Sequence, residues 1–115
     1  MYEYKIHEIK RIYDGDTMTV IIDLGFGVYK TEILRLAYIN APELKGEDRP
    51  KGLESRDWLR TELYTAVAED KDIIIKTIKD RKGKYGRYLA DIYVDGISIN
   101  QKMIEEGYAE PYEKD

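Results

Sequence analysis

At 115 residues, 43% hydrophobic and 37% charged with a net charge of −4, the chain can bury one core but not two, so a single soluble domain over residues 1–115 is expected. It has no cysteine and one histidine, His7, which excludes a disulfide frame, thiolate chemistry and histidine-cluster metal sites and leaves oxygen ligands as the metal chemistry. The start, "MYEYKIHEIK", is too charged for a signal-peptide core and no long apolar run follows, so the reading is no membrane partner and a cytoplasmic chain as written, secreted only if a leader was removed.

Tyr4 to Tyr13 mixes apolar and polar residues as a strand does, and it closes at "DGD". Thr17 to Leu24 then alternates, with Met18, Val20, Ile22 and Leu24 on one face. Asp-Gly between two such runs predicts a hairpin with a type I′ turn, whose central positions both want positive φ. Gly25 and Gly27 bracket a second turn, and Val28 to Ile39 is the third strand. From Gly52 the period changes, and Ser55, Leu59, Leu63, Ala66 and Val67 share one helical face with charges opposite. Asp72 to Ile78 returns to strand, "GKYGR" reads as a turn, and Tyr88 to Val94 is a fifth strand closed by Asp95-Gly96. Ser98 stands as the N-cap of a short helix through Glu106, with Gly107 where a C-cap belongs. The mainly β order β-β-β-α-β-β-α matches a five-stranded OB-fold barrel with two to three helices. That fold commonly binds oligonucleotides but hosts many functions.

The net charge, as an average, argues weakly against a nucleic-acid partner. Between Lys76 and Arg87, however, six basic residues (Lys76, Lys79, Arg81, Lys82, Lys84, Arg87) stand against one acid, Asp80, a local +5. Such a run can focus field on one groove while the rest of the surface stays acidic. A solvated loop beside a strand is the commoner fate of such a run.

Candidate chemistry sits in three places. Asp16 shares its phase with Met18, Val20 and Ile22, so it begins an inward face, where a carboxylate should be raised in pKa or hold a cation. Asp14, across the turn, would be a second ligand or would support the first. The plainer alternative is an Asx turn that Asp14 opens and Asp16 ends. Arg35 lies within the otherwise apolar start of "ILRLAYINAPEL", residues 33–44, and a guanidinium there needs an anion, because an unpaired buried charge is very costly. A phosphodiester under attack gathers charge on its equatorial oxygens, which an arginine fork meets two at a time. Glu43, just past the Ala41–Pro42 turn, is the residue type that orients or deprotonates a water. Taken singly, a core-edge arginine paired with an acid and a surface glutamate are the commoner outcomes. The stretch "DRKGKYGRYLADIY", residues 80–93, adds Arg87 behind a glycine, with Tyr85 as a stacking face or hydroxyl and Lys84 as a point charge. By itself it is a basic hairpin turn.

Together these pieces are specific. "YDGDT", an arginine strand ending in "NAPE", a helix, "KYGR" with "LADIYVDG" after it, and "EEGYA" follow one another nearly end to end. In this order and spacing the chain strongly resembles the staphylococcal nuclease (thermonuclease) family. The resemblance implies an OB barrel with helices, and a monomer that uses one Ca²⁺ to hydrolyse phosphodiesters of single- or double-stranded DNA and RNA, leaving 3′-phosphate ends. It matches Asp16 to the family's first calcium-ligand aspartate and Asp14 to the carboxylate behind it. Arg35 and Arg87 match the arginines that grip the phosphate in the transition state, and Glu43 the glutamate assigned as general base. Lys84 and Tyr85 match residues that contact the terminal phosphate of a bound nucleotide, and Tyr112 the aromatic wall of the base pocket. Two positions depart from the pattern. Asn40 stands for a second calcium-ligand aspartate, so it keeps an oxygen but loses a charge, and calcium affinity follows the count of charged ligands. Ala41 stands for a residue that lends only its backbone carbonyl. Two rival readings share the fold: a non-catalytic nucleic-acid-binding module whose metal site Asn40 has weakened, and a protein-interaction barrel. The joint presence of Asp16, Arg35, Glu43 and Arg87 favours the enzyme, since mere binding requires no glutamate to repel the phosphate.

Overall fold

The first strand, β1 (Glu3–Asp14), does not alternate cleanly, and the reason is its curl. Its inward isoleucines Ile6, Ile9 and Ile12 are three residues apart because register shifts fall between Ile6 and Glu8, Ile9 and Arg11, and Ile12 and Asp14. Each irregularity bends the strand, so its start can pair with β5 (Ile73–Thr77) while most of its length pairs with β2 (Thr17–Asp23). The computed structural model describes residues 2–78 and 86–113. In it β2 pairs with β3 (Tyr29–Leu36), and β5 with β6 (Tyr88–Val94). A parallel pairing of β3 with β6, through Leu34↔Tyr88, Arg35↔Leu89 and Leu36↔Ala90, closes the ring. The result is a closed five-stranded barrel of OB-fold type, with its helix between the third and fourth barrel strands.

The inward phase reads as expected at Met18, Val20 and Ile22, all buried. Leu24 departs from it: it lies past the end of β2, 40% exposed, on the Gly25–Gly27 turn. The third strand is also shorter than its apolar run. It ends at Leu36, turns through Tyr38 at φ 66°, and resumes only as β4 (Ile39–Asn40), which pairs with β8 (Glu110–Pro111). The helix α1 (Arg49–Ala68) begins three residues before the expected Gly52, with Pro50 in its first turn, where a missing N–H is harmless. Ser55, Leu59, Leu63 and Ala66 are buried along it, whereas Val67 is 56% exposed. The drift of an α-helix away from a strict stripe carries Val67 round to solvent. No described helix is long and apolar enough to cross a membrane.

Two Asp-Gly turns behave differently. At Asp95-Gly96, between β6 and β7 (Ile97–Ser98), both central residues have positive φ (52° and 75°), as a type I′ turn requires. At the first hairpin Asp14 pairs with Thr17, so Gly15 and Asp16 are the central residues, and neither is left-handed; the expected type I′ geometry is absent. Instead the Asp16 N–H donates to Asp14 Oδ1 at 3.0 Å, an Asx turn. Gly15 is there for space: a Cβ would collide with the Ser55 hydroxyl on α1 and would lie 2.7 Å from the Ala41 Cβ.

The helix α2 (Ile99–Glu105) has the expected caps. The Gln101 N–H donates to Ser98 Oγ at 3.1 Å. Gly107, at φ 82°, closes a Schellman motif in which Gly107 N–H donates to Ile104 O and Tyr108 N–H to Met103 O. Its buried Asn100 binds two peptides within β6 and the one just past the end of β3. The side-chain amide donates to Ala37 O (2.9 Å) and Ala90 O (3.0 Å), and Oδ1 accepts from Ile92 N–H (3.1 Å). This satisfied buried amide fixes where β3 breaks beside β6.

Candidate active site

The Asp14–Asp16 turn is stitched to the two segments that follow β3 in space. Asp16 is nearly buried. Its Oδ2 accepts the Ala41 N–H at 2.9 Å, its Oδ1 accepts the Thr17 hydroxyl at 3.1 Å, and its backbone carbonyl accepts the Leu36 N–H at 2.8 Å. Arg35, opposite Thr17 in the β2–β3 register, reaches the same point. Its Nη1 donates to Leu36 O (2.7 Å) and Ile39 O (3.1 Å). Its Nη2 lies between Asn40 Oδ1 (3.5 Å) and Asp16 Oδ2 (4.0 Å). The guanidinium also sits over the Tyr112 ring, 5.4 Å from its centroid, and the Tyr112 N–H is tied to Tyr38 O at 2.8 Å. Asp16, Arg35, Asn40, Ala41 and Tyr112 are thus brought together.

Glu43 is held less tightly at its side chain. The Glu43 side chain is 66% exposed and its ion pair is with Lys45, at 3.8 Å. Its backbone, by contrast, is fixed: the Glu43 carbonyl packs on Gly52 of α1 so closely that any Cβ there would strike it. Arg87 is half-buried at the entrance to β6, two residues before Leu89, the partner of Arg35 across the parallel pair. Lys84 and Tyr85 lie outside the described residues, as does most of the basic run.

The electrostatics of the turn are strained. Burial, and then the negative charge of Asp16, push the Asp14 carboxyl up from 3.8 to about 6. Two carboxylates are held close with Arg35 only at 4.0 Å from one of them. A divalent cation beside them would relieve that repulsion, and Asn40 Oδ1 adds a neutral oxygen nearby. No cluster of three acidic, histidine or cysteine side chains occurs among the described residues. Asp16 and Asn40 thus offer one carboxylate and one neutral oxygen, with Asp14 behind them, which is the oxygen chemistry that a single hard cation takes.

Comparison with known proteins now decides the family. The family model described as staphylococcal nuclease homologue matches residues 33–115, well over half of the chain. The chain belongs to the staphylococcal nuclease family. Similar proteins include endonuclease YncB of Bacillus subtilis (strain 168), 34% identical over 113 residues, an alignment that spans 88% of this chain and 45% of that protein. The SPbeta prophage-derived endonuclease YokF of the same strain is 33% identical, across 88% of this chain and 32% of its own. The thermonuclease of Staphylococcus hyicus is 27% identical over 106 residues, across 90% of this chain and 57% of its own. The chain thus spans about half or less of the length of these curated relatives.

Sequence reasoning missed three residues that shape this member of the nuclease family. Thr17 orients Asp16 through its hydroxyl, and the signal was its place next to the acid at the start of β2. Asn100 carries no local signal, because its partner Ala37 is 63 residues away. Glu32, buried in the barrel, shares the inward phase of Leu34 and Leu36, and that alternation could have found it.

Proposed function

We propose that the chain is a monomeric, calcium-dependent nuclease that hydrolyses phosphodiester bonds of DNA and RNA, single- or double-stranded, and leaves 3′-phosphate ends. One observation carries the reading: three separate segments converge on Asp16, so that a buried carboxylate, an arginine fork and a neutral amide oxygen meet within about 4 Å of one another's polar atoms, Arg35 Nη2 lying 3.5 Å from Asn40 Oδ1 and 4.0 Å from Asp16 Oδ2. A purely structural barrel has no use for that meeting.

Asp16, with Asn40 and the Ala41 carbonyl as neutral oxygens and Asp14 behind them, would hold the cation. Bound there, Ca²⁺ supplies Lewis-acid polarisation of a phosphoryl oxygen. Arg35, anchored by two backbone carbonyls through Nη1, presents its other edge to the equatorial oxygens. Arg87, just before the adjoining parallel strand, meets the charge from the second side. Glu43, fixed at its backbone and free at its carboxylate, orients a water and takes its proton as the oxygen attacks phosphorus. The P–O5′ bond breaks, the 5′-oxygen leaves and takes a proton from solvent, and the phosphate stays on the 3′ side. Tyr112, already under Arg35, offers its ring to the base, and Lys84 and Tyr85 serve the terminal phosphate.

The Glu43–Lys45 pair favours one alternative, a nucleic-acid-binding module without catalysis. Cleavage of single-stranded DNA with Ca²⁺ and with chelator separates the two. Cleavage that needs Ca²⁺ and falls by a hundredfold or more in Glu43→Gln, with binding retained, is the expected result. Binding with no cleavage at any Ca²⁺ concentration overturns the enzyme reading.

A further inference from the structure

The outer face of the β1–β2 hairpin carries an ordered pair of side chains that the proposed mechanism does not use. The Arg11 guanidinium lies over the Tyr13 ring, 4.8 Å from its centroid. The Tyr13 and Thr19 hydroxyls share a hydrogen bond at 3.0 Å across the hairpin. Thr19 is the register partner of Arg11 on one side and of Ile33 on the other. Ile12, Met18 and Leu34, which alternate with these residues, are buried in the barrel. Arg11, Tyr13, Thr19 and Ile33 therefore share the solvent face, where Tyr13 is 37% exposed. We propose that Arg11 and Tyr13 form a platform for the unstacked nucleotide that flanks the scissile phosphate, and that it favours single strands over duplex. The proposal deepens the nuclease reading and rests on it for where that phosphate lies.

Continuity with the candidate site argues for this occupant. Tyr13 directly precedes Asp14, and Asp14 pairs with Thr17, which pairs in turn with Arg35. The rows Asp14–Thr17–Arg35 and Arg11–Thr19–Ile33 are thus successive on one face. They stand two strand residues apart, about 7 Å, which is roughly the reach of one nucleotide in an extended strand. Seen from β3, β2 and β1 lie on one side and β6, with Arg87 before it, lies on the other. The platform therefore serves the opposite flank from Arg87.

Charge and ring chemistry narrow the ligand further. Glu8 is paired with Lys10 at 3.8 Å, and Asp14 Oδ1 accepts the Asp16 N–H at 3.0 Å. No ion pair engages Arg11 among the described residues, so its planar fork is open to a phosphate. Packing on the ring restricts the arginine beforehand, and the Thr19 bond restricts the ring, so less freedom is lost on binding. A tyrosine face and a guanidinium plane are the two surfaces on which unstacked bases are held. In a duplex both faces of each base are already covered by neighbours, so only a single strand can use the ring.

The test measures binding of a short thymine-only oligonucleotide, and of its duplex with the adenine complement, by fluorescence anisotropy in chelator, so that nothing is cut. Wild type is compared with Tyr13→Leu, Tyr13→Phe and Arg11→Gln, and with Tyr64→Leu as a control at an exposed tyrosine of α1. Tyr13→Leu should weaken the single strand five- to tenfold and the duplex less than about twofold. Tyr13→Phe keeps the ring and should stay within about threefold of wild type. Arg11→Gln should lower the salt slope of single-strand binding by about 0.7, and Tyr64→Leu should change neither substrate. A folded Tyr13→Leu that binds the single strand as wild type does, or that loses both substrates equally, would overturn the platform. Cleavage of the same strand with Ca²⁺ keeps the readings apart. If Tyr13→Leu loses single-strand affinity while the wild type never cuts, the nuclease reading falls and the platform stands as a binding surface. If the wild type cuts and Tyr13→Leu binds unchanged, the platform falls and the nuclease stands.

Discussion

The two Asp-Gly turns of this chain carry the same dipeptide to different ends. Asp95-Gly96 adopts the left-handed pair of angles that the dipeptide favours, and each residue is exposed. Its job ends with the hairpin. Asp14-Gly15 sits one place earlier in its turn, with Gly15 and Asp16 central: Asp14 bonds the next-but-one N–H, the glycine is pressed against α1 and Ala41, and Asp16 is delivered to Arg35. One turn follows local backbone preference, whereas the other follows long-range contacts. Sequence motifs of equal local strength can therefore be a connector in one place and a site in another, and distant residues decide which.

The comparison breaks most sharply at the acids. Asp16→Asn removes the carboxylate best placed for direct coordination and the nearest anion to Arg35. At fixed Ca²⁺ it should lower cleavage by about a thousandfold, roughly 4 kcal/mol. Asp95→Asn removes an exposed ion pair with Lys71 and should leave cleavage within twofold. Asn40→Asp adds the charge missing beside Asp16 and should tighten Ca²⁺ about tenfold. Calorimetric Ca²⁺ titration with cleavage at varied Ca²⁺ reads all three. Equal effects of the Asp16 and Asp95 changes would show that the first turn is as much a connector as the second.

The glycines sharpen the contrast next. Gly96→Ala strains a left-handed position in open space and should cost about 1 kcal/mol. Gly15→Ala meets no such strain but drives a methyl into Ser55 and Ala41, and should cost about 3 kcal/mol in urea unfolding. The Ser55 hydroxyl is buried without a hydrogen-bond partner among the described residues, so Ser55→Ala should itself be nearly neutral. In combination it should recover part of the Gly15→Ala loss, a coupling that a double-mutant cycle isolates. Additive losses would mean that the helix does not press on the turn.

What could be read in advance divides along the same line. The inward phase of β2, the helix face through Leu59 and Leu63, and the Ser98 and Gly107 caps depend on residues within a few positions of one another, so their sequence carries them. The motif residues of the site were legible through resemblance. The shape of the site was not, because it depends on contacts across the chain. Asp16 accepts from Ala41, 25 residues on, and Asn100 sets the break after Leu36 from another helix. Leu24 and Val67 were misread because a period continues in sequence past the point where the element ends or drifts to the surface.

The smallest effect expected is the most diagnostic of the first turn. Asp14 is half-buried beside Asp16, and its carboxyl is raised to about 6 from an ordinary 3.8. This is the reverse of the usual stabilising acid. Between pH ~4 and 6 the folded chain holds a proton that the unfolded chain has lost, so stability falls as pH rises through that window and the deficit persists at pH 7. The full shift would correspond to about 3 kcal/mol. Because more than a third of the group is open to solvent, screening reduces that to about 1 kcal/mol. Asp14→Asn keeps an oxygen for the Asp16 N–H and removes the charge. Without metal, its urea midpoint should exceed that of the wild type at pH 7.5 and match it at pH 3.5. Saturating Ca²⁺ should narrow the pH 7.5 gap, since a bound cation offsets the same repulsion. Asp95→Asn, at the other turn, should show no such pH-dependent gain. A variant advantage that is constant from pH 3.5 to 7.5 would show that the two carboxylates do not repel one another, and the first turn would then lose its claim to be a site built for a cation.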